Sequence, residues 1–176
     1  LSNWNTSNVT DMSSMFENAS SFNGDVTFWD VSNATDMSSM FEGASAFSRN
    51  LNWNTSNVTT MASMFNGANS YGANSLNQYM SNWNTSNVTD MSSMFEGAKS
   101  FNQTISNWNV QNVTNMASMF EGAHNFNQDI RYWNVGSVTN MSSMFKGASS
   151  YNQYMSWNTS NVTDMSAMFD SAYHYN

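Results

Sequence analysis

The stretch Trp83-Asn84-Thr85-Ser86-Asn87-Val88-Thr89-Asp90-Met91-Ser92-Ser93-Met94-Phe95-Glu96-Gly97-Ala98 recurs in recognisable form seven times in a chain of 176 residues. Tryptophan marks the period: Trp4, Trp29, Trp53, Trp83, Trp108, Trp133 and Trp157 are spaced by 25, 24, 30, 25, 25 and 24 residues. Periods of this size belong to solenoids, propellers and arrays, in which a single unit cannot bury its own apolar face and neighbours must stack to do so. Several columns never vary. They hold the Trp, the Thr of Thr89, the methionines of Met91 and Met94, the Phe of Phe95 and the Ala of Ala98.

Within one unit the hydrophobic period changes partway along. Ile105-Ser106-Asn107-Trp108-Asn109-Val110 places apolar residues at the first, fourth and sixth positions, the spacing of leucine-rich units. Trp108 and Val110, two apart, share one face of a short strand, and the column two after Trp is always β-branched (Thr6, Val31, Thr55, Thr85, Val110, Val135, Thr159). Met116, Met119 and Phe120 then fall at i, i+3 and i+4, the inward stripe of a helix. Thr114 reads as its N-cap and Gly122 as the residue just past its end, while Asp90 in the matching unit complements the helix dipole. Such a helix has fewer than two turns and needs tertiary support to persist. The expected fold is therefore a leucine-rich-repeat-like α/β solenoid. Each coil carries one short parallel strand at the Trp motif and one short helix at the Met-x-x-Met-Phe motif.

One continuous domain over residues 1–176 follows, with repeats starting near Leu1, Val26, Leu51, Met80, Ile105, Ile130 and Met155. The 30-residue spacing arises from a tandem duplication: Gly67-Ala68-Asn69-Ser70-Tyr71 is followed by Gly72-Ala73-Asn74-Ser75-Leu76, which is expected to bulge as a loop. After each Ala a second aromatic column recurs in Phe101-Asn102-Gln103, Phe126-Asn127-Gln128 and Tyr151-Asn152-Gln153. Its Asn is expected to form an inward ladder that hydrogen-bonds backbone groups at a turn.

Composition narrows the function. With 40% hydrophobic and 15% aromatic residues the chain has ample material for a core despite its Asn and Ser content. A net charge of -8 has the wrong sign for a phosphate-backbone binder, and Arg49, Lys99, Arg131 and Lys146 form no cluster along the sequence. Nucleic acid is not an expected partner. No apolar run approaches the roughly 20 residues of a membrane span. Cysteine is absent, so no disulfide framework exists.

The run Trp-Asn-Val/Thr-Ser-Asn-Val-Thr-Asp-Met-Ser-Ser-Met-Phe-x-Gly-Ala-x-x-Phe-Asn-Gln, seen from Trp83 to Gln103 with small substitutions, resembles the BspA-like repeat of bacterial and microbial-eukaryote surface proteins. The resemblance covers essentially the whole chain. It implies a leucine-rich-repeat-type solenoid on secreted or surface-anchored proteins, associated with adhesion and with matrix or host contact. It carries no catalytic residues to transfer.

The residues themselves give no expectation of catalysis, of a cofactor or of a bound metal. His124 and His174 stand 50 residues apart in variable columns, with no nucleophile motif or phosphate loop nearby. The Met91-x-x-Met94 pair has the soft ligands of a Cu(I) site, but its helical spacing beside an invariant Phe assigns it to the core. The Asp11, Asp36, Asp90, Asp164 column and the Glu17, Glu42, Glu96, Glu121, Asp170 column are broken by Thr60, Asn66 and Lys146, which favours a solvated acidic face over a Ca²⁺ site. Sequons such as Asn8-Val9-Thr10 and Asn87-Val88-Thr89 recur because the unit recurs.

Alternation along the strand turns Asn5, Asp30, Asn54, Asn84, Asn109, Asn134 and Asn158 outward, and Phe28 and Tyr132 join the same face. This polar strip is the candidate binding face. The expected function is a non-enzymatic extracellular or cell-surface scaffold for adhesion, holding a surface or matrix protein or a glycan. The alternative is a self-associating structural repeat, stacking end to end or into filaments, since neither terminus carries a polar cap. Ice binding by the regular Thr and Asn columns ranks third.

Overall fold

The computed structural model describes residues 1, 3–68 and 80–176. The duplicated segment from Asn69 to Leu76, expected as a loop, lies outside the described residues. Consecutive repeats run side by side in parallel register: Asp11 bridges to Asp36, Asp36 to Thr60, Thr60 to Asp90, Asp90 to Asn115, Asn115 to Asn140 and Asn140 to Asp164.

The backbone of the Met-x-x-Met-Phe segment is not the helix that its spacing predicts. Among the described residues the only helical element is a single 3-10 turn, Met80–Asn82. Every amide from Met91 to Ala98 is nevertheless satisfied, by an alternation. Met91, Ser93, Phe95 and Gly97 donate to the carbonyls of Asn115, Ala117, Met119 and Glu121 in the next repeat, at 3.0, 2.8, 2.9 and 2.7 Å. Met94, Glu96 and Ala98 instead donate three residues back within their own repeat, to Met91, Ser93 and Phe95, and Ser92 donates to the Asp90 carboxylate. The result is a run of tight turns stitched sideways into a ladder.

Two left-handed residues per repeat drive this departure. Ser93 has φ 54° and Gly97 φ 66°, and the same columns stay positive from Ser14 and Asn18 to Ala167 and Ser171. A positive φ at the third residue of a turn is what a type II turn requires, and it interrupts any right-handed helix. Spacing gives a second reason. Phe16, Phe41, Phe65, Phe95, Phe120, Phe145 and Phe169 stack with centroids 5.5–5.8 Å apart. Packed helices need ~8–10 Å between axes, whereas laddered chains sit ~4.8 Å apart. Helical periodicity and this turn succession bury the same i, i+3 and i+4 residues, so the inward stripe alone does not separate them.

The Trp segment also differs from the expected paired strand. Burial alternates cleanly, with Leu51, Trp53 and Thr55 buried and Asn50, Asn52 and Asn54 exposed. Backbone pairing between adjacent Trp segments is replaced by side-chain bridges. Trp53, Trp83, Trp108 and Trp133 donate Nε1–H to the carbonyls of Val26, Leu51, Met80 and Ile105 in the preceding repeat, at 2.9–3.2 Å. Thr55 and Thr85 donate their hydroxyls forward to the carbonyls of Asn84 and Asn109. The Trp rings are nearly parallel, with centroids 5.9–6.5 Å apart, and these side-chain bonds tie one Trp segment to the next.

The core between these sides is continuous. Met37, Met40, Met61, Met64, Met91, Met94, Met116, Met119, Met141 and Met144 are fully buried beside the Phe column. Unbranched thioethers fill the irregular space between rings. A second aromatic column stacks on the first, Phe95 on Phe101 at 3.8 Å and Phe120 on Phe126 at 4.0 Å. Each offset-stacked pair adds about 0.5–1.5 kcal/mol beyond its burial. Tyr151 continues that column with its hydroxyl buried and without a partner, and burial pushes its phenol well above the ordinary value.

Glycine is the residue best suited to a positive φ, so Ser143→Gly, at φ 56°, is expected to raise stability by about 0.5–1 kcal/mol in urea unfolding. Were Ser143 helical, the same change would lower it by about 0.5 kcal/mol.

Candidate functional site

The outward columns of the Trp segments hold the residues named above. Asn5, Asp30, Asn54, Asn84, Asn109, Asn134 and Asn158 are all exposed. Phe28 and Tyr132 stand out among them, with 84% and 83% of their surfaces in solvent. The structure thus brings all of these residues to one side, one column immediately before the buried Trp and one immediately after it.

The Asn column is less free than its exposure suggests. Each side-chain oxygen accepts from the backbone amide two residues on: Asn5 from Ser7, Asp30 from Ser32, Asn54 from Ser56, Asn84 from Ser86, Asn109 from Gln111, Asn134 from Gly136 and Asn158 from Ser160, at 3.0–3.2 Å. These are Asx turns, which bend the chain from the Trp segment towards the next Val. In the asparagines the amide NH₂ is what remains to donate outward. The strip therefore presents amide donors outward, with each oxygen tied to its own turn and Asp30 as the one carboxylate.

A second Asn column, three residues further on, serves as an inter-repeat clamp. Asn33, Asn57, Asn87, Asn112 and Asn161 donate Nδ2–H to the carbonyls of Ser7, Ser32, Ser56, Ser86 and Gly136 in the preceding repeat, at 2.6–2.7 Å. Read along the sequence these asparagines are sequons. In the fold the nitrogen that a glycan would occupy is already a donor. The signal was present in the column itself, which holds Asn in every repeat except at Ser137.

The invariant Thr is a ladder residue and not a helix cap. Thr35, Thr59, Thr89, Thr114, Thr139 and Thr163 each donate both the backbone amide and Oγ1–H to the carbonyl of the preceding Thr. The Asp11 column likewise holds turns instead of complementing a helix dipole: Asp11, Asp36, Asp90 and Asp164 accept from the amides of Ser13, Ser38, Ser92 and Ser166. The expected Asn ladder forms as well, with Asn127 and Asn152 amides donating to Asn102 and Asn127 Oδ1 at 3.0 Å. Asn102 and Asn152 are exposed and not turned inward, so this ladder ties the repeats at the surface.

Charge at this surface is held locally. Hydrogen bonds from Ser13, Ser32 and Ser166 hold the carboxyls of Asp11, Asp30 and Asp164 below the ordinary carboxylate value. Arg131 does the same to Asp129, its Nε lying 2.9 Å from the carboxylate. Lys146 pairs with Glu121 at 2.9 Å. His124 and His174 are exposed, and His174 contacts the Ser149 carbonyl. Among the described residues no three His, Asp or Glu side chains gather as a metal-binding group.

These carboxylates tie surface charge to the fold. A depressed folded-state pKa contributes stability above the unfolded value of about 3.9, and the contribution is lost as the pH falls through the folded value. The triple variant Asp11→Asn, Asp30→Asn, Asp164→Asn is therefore expected to lose less melting temperature than the parent between about pH 5 and about pH 2. Parallel melting curves across that range would show that these turns do not titrate with folding.

Comparison with known proteins places the repeats in a group. The family described as Mycoplasma protein of unknown function, DUF285, matches residues 1–75 and again residues 70–176. No curated protein matches the chain, and neither does any solved structure. Two matches that together span every repeat leave one conclusion: the chain belongs to the DUF285 family.

Proposed function

We propose that this chain is a non-enzymatic solenoid scaffold of the BspA-like surface type, working outside the cell or on its surface, where the outward face of its Trp segments holds a surface or matrix protein or a glycan. The observation that carries the reading is a division between columns. Trp, Thr, Met and Phe are absorbed by the core and the ladders, as is the clamp Asn. The outward columns admit changes of chemical character: Asp30 replaces Asn, Gln111 and Gly136 replace Ser, and Phe28 and Tyr132 replace Asn. A frame held by constant residues, displaying variable ones, has the arrangement of a recognition surface.

A second reading, self-association, has its own observation. Trp4 and Met165 are 55% and 41% exposed in the first and last repeats, whereas the same columns are buried in the middle ones. A further repeat stacked there, of a second copy or of the same protein, would bury them.

One pair of measurements separates the two readings. Immobilised chain is tested against a panel of matrix proteins and glycans, and its sedimentation is followed over a hundredfold concentration range. Saturable binding by a monomer, weakened when Asn84, Asn109 and Tyr132 are replaced by Ala, is the expected result. An empty panel with concentration-dependent assembly would replace the scaffold reading with self-association.

A further inference from the structure

In a repeat array, a side chain that breaks its column without serving the fold is available for a ligand. The column before Trp reads Asn3, Phe28, Asn52, Asn82, Asn107, Tyr132 and Ser156. Its polar members suit an exposed position, and Asn107 also donates Nδ2–H to the Ser81 carbonyl of the preceding repeat at 2.6 Å. Phe28 cannot make that bond, and Phe28 and Tyr132 instead hold whole rings in water. Nothing in the core or the ladders asks for either ring.

The same two places gather the arginines of the chain. Arg131 adjoins Tyr132, its Cζ lying 5.8 Å from the ring centroid, and its Nε pairs with Asp129 at 2.9 Å. Tyr154, 69% exposed, takes the position equivalent to Asp129 in the following repeat, near the same guanidinium. At Phe28 the set recurs across two repeats. Asp25 lies three residues before the ring, and Arg49 of the next repeat donates Nε–H to the Asn23 carbonyl at 2.9 Å, with its charge acting on Asp25. Arg131 thus meets both its Asp and its ring at Tyr132, while at Phe28 an Arg lies within electrostatic reach of an Asp three residues before the ring. The two sets are four repeats apart, about 25 Å at ring steps of 5.9–6.5 Å.

We propose that Tyr132 with Arg131, Asp129 and Tyr154, and Phe28 with Asp25 and Arg49, are two subsites for pyranose rings of one neutral, extended glycan. This deepens the scaffold reading above and rests on it. A pyranose offers one face of C–H bonds, whose partial positive charge suits the negative face of an aromatic ring. Its rim of hydroxyls suits a carboxylate and a guanidinium fixed beside that ring.

The surroundings favour a sugar over a protein. Around Tyr132 the neighbouring outward positions are Thr104, Asn107, Gln128, Gln153 and Ser156, so its ring and that of Tyr154 stand among amides and hydroxyls. A stable protein interface needs about 1,000 Å² with an apolar centre, and one ring matches one sugar face. A net charge of -8 repels anionic glycans, which makes the ligand neutral. Single sugars bind weakly in shallow sites, but two sites on one polymer gain by effective concentration.

The test is affinity electrophoresis and calorimetry of the full chain with neutral polysaccharides (glucans, mannans and a soluble chitin oligomer), with heparin as the anionic control. The variants are Phe28→Ala, Tyr132→Ala and their double, with Tyr132→Phe as the conservative change. His124→Ala, exposed and away from the Trp segments, serves as a surface control, and Trp near-ultraviolet circular dichroism reports that the stacked core survives. Retardation by at least one neutral polymer and none by heparin is expected. Affinity should fall about tenfold in each single Ala variant and further in the double, with Tyr132→Phe close to the parent. Absence of retardation by every neutral polymer, or equal retardation of parent and double variant, overturns the proposal. If matrix proteins still bind the parent while no polysaccharide does, only this inference fails. If neither binds, the scaffold reading fails with it.

Discussion

The alternating assignment of backbone amides is the constraint on which the remaining structure depends. In the segment from Met91 to Ala98 every second N–H goes to the next repeat and the ones between close turns at home. Neither set alone satisfies the backbone, so an isolated repeat leaves about half of these donors without a protein partner. A helix would have closed its backbone bonds within its own repeat beyond the first turn, and would not have tied them to the neighbours. The turn ladder makes each repeat depend on the adjacent one, which is the condition for stability built from nearest-neighbour interfaces. The left-handed Ser and Gly columns are the local means of achieving it, because they reverse the chain often enough to point alternate amides sideways.

Side chains follow from that spacing. Steps of 5.5–5.8 Å on the Phe side admit flat rings lying nearly parallel, with methionine between them. On the Trp side the links are made by side chains: the indole N–H, the buried Thr hydroxyl and the clamp Asn cross to the neighbouring repeat. Each therefore has both an apolar or structural body and a donor that crosses to the neighbour. The Trp and clamp Asn columns are invariant or nearly so because one defective rung leaves two repeats unsatisfied, whereas Val31, Val110 and Val135 fill the Thr place without a donor. The outward positions carry no such obligation, and that freedom is what the proposed recognition role uses.

Much of the inward arrangement was legible in the residues. Trp, the β-branched residue two after it, both methionines and Phe were read as facing one interior, and in the inner repeats they do. The outward placement of the Asn column, Phe28 and Tyr132 was also legible, since alternation around a buried Trp leaves no other choice. Secondary structure was not. Met91, Met94 and Phe95 satisfy i, i+3 and i+4 in a helix and equally in successive turns, and Ser93 gives no warning that its φ is positive, because only glycine announces that conformation reliably. The roles of Thr89 and Asn87 were hidden for a related reason. Ser, Thr and Asn bond equally well within a turn or across to a neighbouring chain, and the partner is decided by spacing that one repeat does not encode.

The most direct measurement of this arrangement is scalar coupling across hydrogen bonds in uniformly labelled, partly deuterated protein. Couplings are expected from the amide nitrogens of Met91, Ser93, Phe95 and Gly97 to the carbonyl carbons of Asn115, Ala117, Met119 and Glu121. Couplings confined to pairs four residues apart within the segment from Met91 to Ala98 would mean a helix, and would contradict the ladder on which the rest is built.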